Sequence, residues 1–168
     1  MCIRDSAYKD IIERYEYRFF NPADFTPRQE FIDSMLEEVS RKLHENPECM
    51  TALYYYGYLQ ALKGNYGKAE ESYKKIMLLY PWHPGIARIY TRLGDMEFLK
   101  RNYKNAIGYY RRAIRRNSSL WEPYAKIGLI MEYRKEKKKA LKYYKAAYRI
   151  KKIGWVKTRI DILGKELR

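Results

Sequence analysis

Residues 86–117 read IARIYTRLGDMEFLKRNYKNAIGYYRRAIRRN, and residues 120–151 read LWEPYAKIGLIMEYRKEKKKALKYYKAAYRIK. Laid over each other, Gly94 falls on Gly128, Ala106 on Ala140, Tyr110 on Tyr144 and Ala113 on Ala147, a step of 34 residues. One more copy precedes them: Gly57, Ala69 and Tyr73 stand 37 residues before Gly94, Ala106 and Tyr110. A period in this range marks a chain built from stacked supersecondary units. Each copy predicts two helices. The glycine sits midway along the first, where it costs helix propensity, so close approach by the second helix is expected to offset it. Ala69, Ala106 and Ala140 are the expected small partners. The tyrosines four residues later share their face and fill the space beyond.

Over residues 50–152 the pattern resembles the tetratricopeptide repeat (TPR) family, whose helix–turn–helix unit has this period. Gly64-Asn65-Tyr66 and Arg101-Asn102-Tyr103 match the turn between the two helices, and Pro81 matches the proline that ends a unit. Ser118 and Lys152 replace that proline in the later copies, Lys135-Glu136-Lys137 replaces the turn, and Pro84-Gly85-Ile86 accommodates the three extra residues of the longer step. The resemblance implies an all-α fold, an α-solenoid in which antiparallel helix pairs wind into a right-handed superhelix. It places three units over 47–154, with helices at 47–63 and 66–79, 86–100 and 103–116, and 120–134 and 137–152.

Outside the units, Tyr8–Phe20 and Thr26–Asn46 carry helical apolar spacing, and Thr26, Pro27 and Gln29 read as a helix start. Residues 8–46 are therefore expected to form a degenerate repeat or an N-terminal cap. Trp155 follows Trp121 by 34 residues. Residues 155–168 then read as a last helix covering the exposed end of the array, as end units must. Residues 1–7 are expected to be a disordered start, and Met1–Ser6 resembles a translated sequencing-adapter remnant. Ser119 with Glu122 is the expected capping box of the third unit.

The 168 residues suffice for one domain with its own core. Tyrosine is overused, with 19 copies, most at positions facing helices, where an aromatic body with one polar tip suits half-buried faces. Two cysteines, Cys2 and Cys49, make neither a framework nor a CxxC pair. A reducing, cytoplasmic location is thus favoured over disulfide dependence, unless an export signal precedes an incomplete N-terminus. No apolar run approaches the ~20 residues of a membrane span. The net charge of +15 is unevenly spread: −4 over 1–49, +7 over 84–120 and +8 over 121–154. That asymmetry implies an anionic partner for the basic half, or solvation and long-range self-complementarity.

No catalytic, nucleotide-binding or metal-binding motif stands in the chain, and no enzyme, cofactor, metal or small-molecule substrate is expected. His44, Cys49 and His83 read as a surface histidine, a packed thiol and a turn histidine rather than a zinc site. The TPR resemblance implies a non-catalytic scaffold that takes a peptide or helix of a partner protein in the concave groove lined by first helices. The positions this places there are Thr51, Tyr54, Tyr55, Tyr58 and Leu62; Arg88, Thr91, Arg92, Asp95, Phe98 and Leu99; Glu122, Ala125, Lys126, Leu129 and Tyr133; and Arg159 and Leu163. Tyrosine and arginine are favoured at binding hot spots, although tyrosines on these helices also serve to pack neighbouring units. The carboxylate clamp of chaperone-binding members is disfavoured. Its positions hold Tyr54, Tyr58, Arg92, Glu122 and Lys126, and only Lys126 keeps the charge.

The second helices carry a different signal. Lys74, Arg111 and Lys145 share one repeat position, Lys75 and Arg112 the next; Lys104 aligns with Lys138, and Arg115 with Arg149. On the convex face such a basic ladder would either track RNA or an anionic membrane surface, or be a solvated helix face. No base-reading motif accompanies it.

Overall fold

A computed structural model describes residues 29–168, with side chains from residue 32 onward. The expected start at 1–7, the helix at Tyr8–Phe20 and the Thr26–Pro27 helix start lie outside the described residues. Eight α-helices and no strands make up the described chain: α1 Gln29–Glu45, α2 Met50–Leu62, α3 Tyr66–Leu79, α4 Ile86–Leu99, α5 Tyr103–Arg116, α6 Trp121–Tyr133, α7 Lys137–Ile150 and α8 Gly154–Glu166. The fold class is all-α, of the TPR-like solenoid type. The helices fall into two compact units: one up to Leu79, containing α1–α3, and one from Tyr80, containing α4–α8.

First and second helices bury themselves differently. The second helices carry one narrow stripe: Ala106, Ile107, Tyr110 and Ala113 in α5, and Ala140, Tyr144 and Ala147 in α7. This is the i, i+4, i+7 spacing of an amphipathic helix, and it leaves the remaining faces to cations. The first helices α2, α4 and α6 are covered on more sides. In α2, Ala52, Leu53, Tyr55, Gly57, Tyr58, Leu59 and Gln60 are all buried. In the first unit Ile32, Met35 and Val39 of α1 pack with Cys49, Tyr55 and Leu59. In the second, Tyr110, Ile127, Ile130, Tyr144, Val156 and Leu163 belong to one core.

The repeat glycines face the tyrosines themselves. A Cβ on Gly57 would stand 2.7 Å from Cε1 of Tyr73, one on Gly94 2.5 Å from Cε1 of Tyr110, and one on Gly128 2.9 Å from the Tyr144 ring. All three rings are fully buried. The alanines are buried too, but the close contact is glycine to aromatic face, a correction to the expected glycine–alanine pairing. A flat ring crossing the first helix needs the clearance of a missing side chain, which explains why glycine and tyrosine repeat together.

Each turn between paired helices has the same form. Gly64, Arg101 and Lys135 take positive φ, at 80°, 63° and 60°. In the first, the Asn65 amide donates to the Gln60 carbonyl at 2.9 Å and the Gly64 amide to Ala61 at 3.0 Å. Asn102 to Glu97 and Arg101 to Phe98, at 2.8 and 2.9 Å, repeat this, as do Glu136 to Met131 and Lys135 to Glu132, both at 2.8 Å. These paired bonds satisfy the carbonyls that a helix end leaves open. Lys135-Glu136-Lys137 therefore builds the family turn without its glycine. A left-handed conformation costs an ordinary residue ~1–2 kcal/mol. Arg101→Gly and Lys135→Gly should each raise stability in a thermal melt, by a part of that figure, because glycine also loses more entropy on folding. An unchanged or lower midpoint would mean the turns carry no such strain.

The capping box expected at Ser119 and Glu122 is not formed. Helix α6 begins at Trp121 after Leu120, with no side-chain cap. Instead the Ser119 amide donates to Oδ1 of Asn117 at 2.9 Å, closing a local turn that takes the hydroxyl out of capping position. Cys49 is also corrected: it is buried but disulfide-bonded, not a plain packed thiol. The only other cysteine in the sequence, Cys2, lies outside the described residues.

Candidate partner-binding site

Within the unit from Tyr80 on, the first helices α4, α6 and α8 are joined by two carboxylates. Asp95 of α4 accepts from Arg92 on its own helix at 3.0 Å and from Lys126 of α6 at 2.9 Å. The Tyr110 hydroxyl donates to the same carboxylate at 2.8 Å. Glu132 of α6 repeats the arrangement one step on. It accepts from the Tyr144 hydroxyl at 3.0 Å and from Nε of Arg159 of α8 at 3.1 Å, and is ion-paired with the Arg159 guanidinium. Each carboxylate thus serves the tyrosine of its own repeat and a cation of the next.

The Asp95 cluster is nearly dry. The side chains of Lys126, Asp95 and Arg92 are 8%, 14% and 15% exposed. Burial pushes the Asp95 carboxyl up, but the Lys126 and Arg92 charges and the hydrogen bonds from Lys126 and Tyr110 outweigh it, so its pKa lies below the usual 3.8. Burial, and then the Asp95 charge, hold the Tyr110 phenol well above its ordinary range. Tyr144 is raised likewise, chiefly by burial.

This changes what the expected groove residues offer. Arg92, Asp95, Lys126 and Arg159 are engaged with one another or with Glu132. The Lys126 charge, the one retained element of a carboxylate clamp, is neutralised by Asp95. Tyr55 and Tyr58 are buried in the first unit, where they pack in the core of α1 and α2 rather than standing open as anchors. Tyr54 is partly buried and lies edge-on to Tyr55 at 5.4 Å. Thr91, Ala125 and Leu163 are buried as well. Of the expected groove residues in the second unit, those that remain exposed are Arg88, Leu99 and Tyr133. Tyr133 is 62% exposed and Leu99 41%. Tyr133 is backed by an aromatic cluster, with its ring 6.1 Å from Phe98 and stacked 6.3 Å from Tyr103.

All nine ladder residues, Lys74, Lys75, Lys104, Arg111, Arg112, Arg115, Lys138, Lys145 and Arg149, are exposed on α3, α5 and α7. Lys74 pairs with Glu70 at 2.9 Å. The Arg112 guanidinium lies over the Tyr109 ring, 5.5 Å from its centroid, and Tyr109 itself stacks on Tyr90. Between α5 and α7, floored by α6, is a cleft of about 780 Å³ that includes Lys104 and Arg111. Sequence reasoning missed Glu132, which holds Arg159, and missed this cleft. The ladder alignment was its one visible trace.

Among the described residues no three His, Cys, Asp or Glu side chains cluster to hold a metal, and no helix is long and apolar enough to cross a membrane. His83 accepts from the Gly85 amide at Nδ1, 3.0 Å away, within the turn leading into α4.

Comparison with known proteins agrees with the repeat. Residues 48–119 match a tetratricopeptide-repeat family model. No curated protein matches by sequence. A solved structure of MamA is 27% identical, with a TM-score of 0.63 over 82% of this chain and 80% of that one. A second structure of MamA protein is 25% identical, with a TM-score of 0.63 over 96% of this chain and 82% of the other. TTC0263, a thermophilic TPR protein of Thermus thermophilus, shares the fold at 22% identity, with a TM-score of 0.61 over 81% of this chain and 74% of its own. The recurring glycine–tyrosine contacts, the shared turn, the matched segment and these folds together place residues 48–119 in the tetratricopeptide repeat family.

Proposed function

We propose that this chain is a non-catalytic scaffold that takes a peptide or helix of a partner protein on its first helices, with Tyr133 and Leu99 as apolar anchors and Arg88 as a polar contact. TPR proteins generally bind protein partners, and this supports the coarse reading. The observation that carries the finer one is the exposed Tyr133 ring fixed against Phe98 and Tyr103. An aromatic held rigid before binding loses little entropy on capture, and such residues dominate binding energy. The Asp95–Lys126 and Glu132–Arg159 pairs serve this site by holding α4, α6 and α8 in register.

A photo-crosslinking side chain placed at position 133 tests the reading, with one at exposed Lys145 as comparison. Crosslinking in cells to one partner from 133, lost when Leu99→Ala and Arg88→Ala are added, is the expected result. Capture from 145 alone would overturn it. The exposed ladder favours a second reading, in which the second helices bind an anionic partner, RNA or a membrane surface.

A further inference from the structure

The two sides of the second unit treat their cations in opposite ways. On the first helices Arg92, Lys126 and Arg159 are matched by Asp95 and Glu132. In the cleft between α5 and α7, Lys104, Arg111 and Lys142 make no ion pair with any described residue, and Arg134 adds a fourth cation. The one carboxylate there, Glu136, is held by Lys139. A concave site with a large excess of cations concentrates counter-charge, and its volume of about 780 Å³ lies in the ~300–1,000 Å³ range of small-ligand sites. That admits a short stretch of chain and not a folded domain.

The floor is apolar. Ile107 and Met131 lie beneath, Tyr124 and Tyr143 line the cleft, and Gly108 and Ala146 leave room between the helices. A Cβ on Gly108 would meet nothing within 4 Å. Apart from the two phenols, the described lining side chains include no hydroxyl or amide to pair with base edges. We propose that this cleft is a docking site for an acidic segment of a partner protein, with Asp or Glu carboxylates on the rim cations and one aliphatic or aromatic side chain seated over Gly108. It deepens the protein-binding reading above by adding a second contact on the opposite helices, and it rests on that reading only in taking the partner to be a protein.

Fluorescence anisotropy on the full chain tests it. The probes are a short labelled peptide rich in Glu with interspersed Phe and Leu, a Glu-only peptide of equal charge, and an oligouridylate of equal charge. Gly108→Trp fills the cleft without altering charge, at an exposed position with open space, so folding is expected to survive; a thermal melt checks this. Arg111→Glu with Lys142→Glu reverses two rim charges. Expected are tighter binding of the mixed peptide than of either comparison probe, about tenfold or greater weakening by each variant, and no change on Leu99→Ala with Tyr133→Ala. Equal binding of the Glu-only peptide, with Gly108→Trp inert, would reduce the cleft to diffuse attraction and overturn the proposal. Preference for oligouridylate would overturn it in favour of nucleic acid. Cleft variants that leave the peptide bound would sink this inference alone, since crosslinking at position 133 decides the first-helix reading separately.

Discussion

Gly94→Leu should unfold the second unit at far lower denaturant than the wild type, and Gly94→Ala should already weaken it. The first added carbon would lie 2.5 Å from Tyr110, a ring with no solvent-exposed surface and its hydroxyl tied to Asp95. Neither partner has room to shift, so the cost falls at or beyond the ~1–3 kcal/mol typical of overpacking. For leucine it should sit at the upper end. Gly108→Ala is the control. Its added carbon meets open space on an exposed helix face, so propensity alone acts and the melting point should rise, by about 0.5–1 kcal/mol in stability. Combining Gly94→Ala with Tyr110→Leu should recover part of the loss if the ring is the obstacle. Unchanged melting of Gly94→Leu would mean that α4 and α5 do not meet at this contact.

Asp95→Asn is the second large effect. It keeps the shape and an acceptor for Tyr110 but removes the charge that serves both Lys126 and Arg92. With Lys126 only 8% exposed, the variant takes the Asp95 charge away from a nearly desolvated ammonium. Breaking a buried pair in this way costs about 3–5 kcal/mol. Lys126→Met should cost much less, because Asp95 retains Arg92 and Tyr110. The pH dependence gives the sign. The folded pKa of Asp95 is depressed below 3.8, so the carboxylate contributes fully above that value, and the contribution is lost as pH falls through the lower folded one. Urea titrations should therefore separate wild type from Asp95→Asn at pH 7, with the gap closing in strong acid. A constant gap would remove Asp95 from the acid response.

The repeat was legible because glycine, alanine and tyrosine answer to one local constraint, the crossing of two helices, and that constraint recurs every 34 residues. The turn was legible even without its glycine, since Lys135 keeps the register of Gly64 and Arg101. The site was less so. Asp95 aligns with Leu129, and the carboxylate that plays its role in the next repeat stands one helical turn later, at Glu132. Reading down the repeat columns therefore misses it, although a tyrosine hydroxyl reaches both. Tyr55 and Tyr58 read as anchors because a first-helix tyrosine looks the same in sequence whether a neighbouring helix or a ligand covers it. Only packing against α1 decides. The cleft needed two helices far apart in sequence to place Lys104 and Arg111 opposite Lys142.

The two bridging carboxylates also bear on how the repeats share their stability. In a linear array each repeat contributes its own folding free energy and a coupling to its neighbour, and the ratio of the two sets how many repeats open together. The glycine–tyrosine contacts belong to the intrinsic part, being internal to a repeat. Asp95–Lys126 and Glu132–Arg159 belong to the coupling part, and each is anchored through a tyrosine hydroxyl to the interior of the preceding repeat. A helix pair cannot open without stripping a charge partner from the next, so α4 to α8 should exchange their slowest amide protons as one block rather than fraying repeat by repeat from the end.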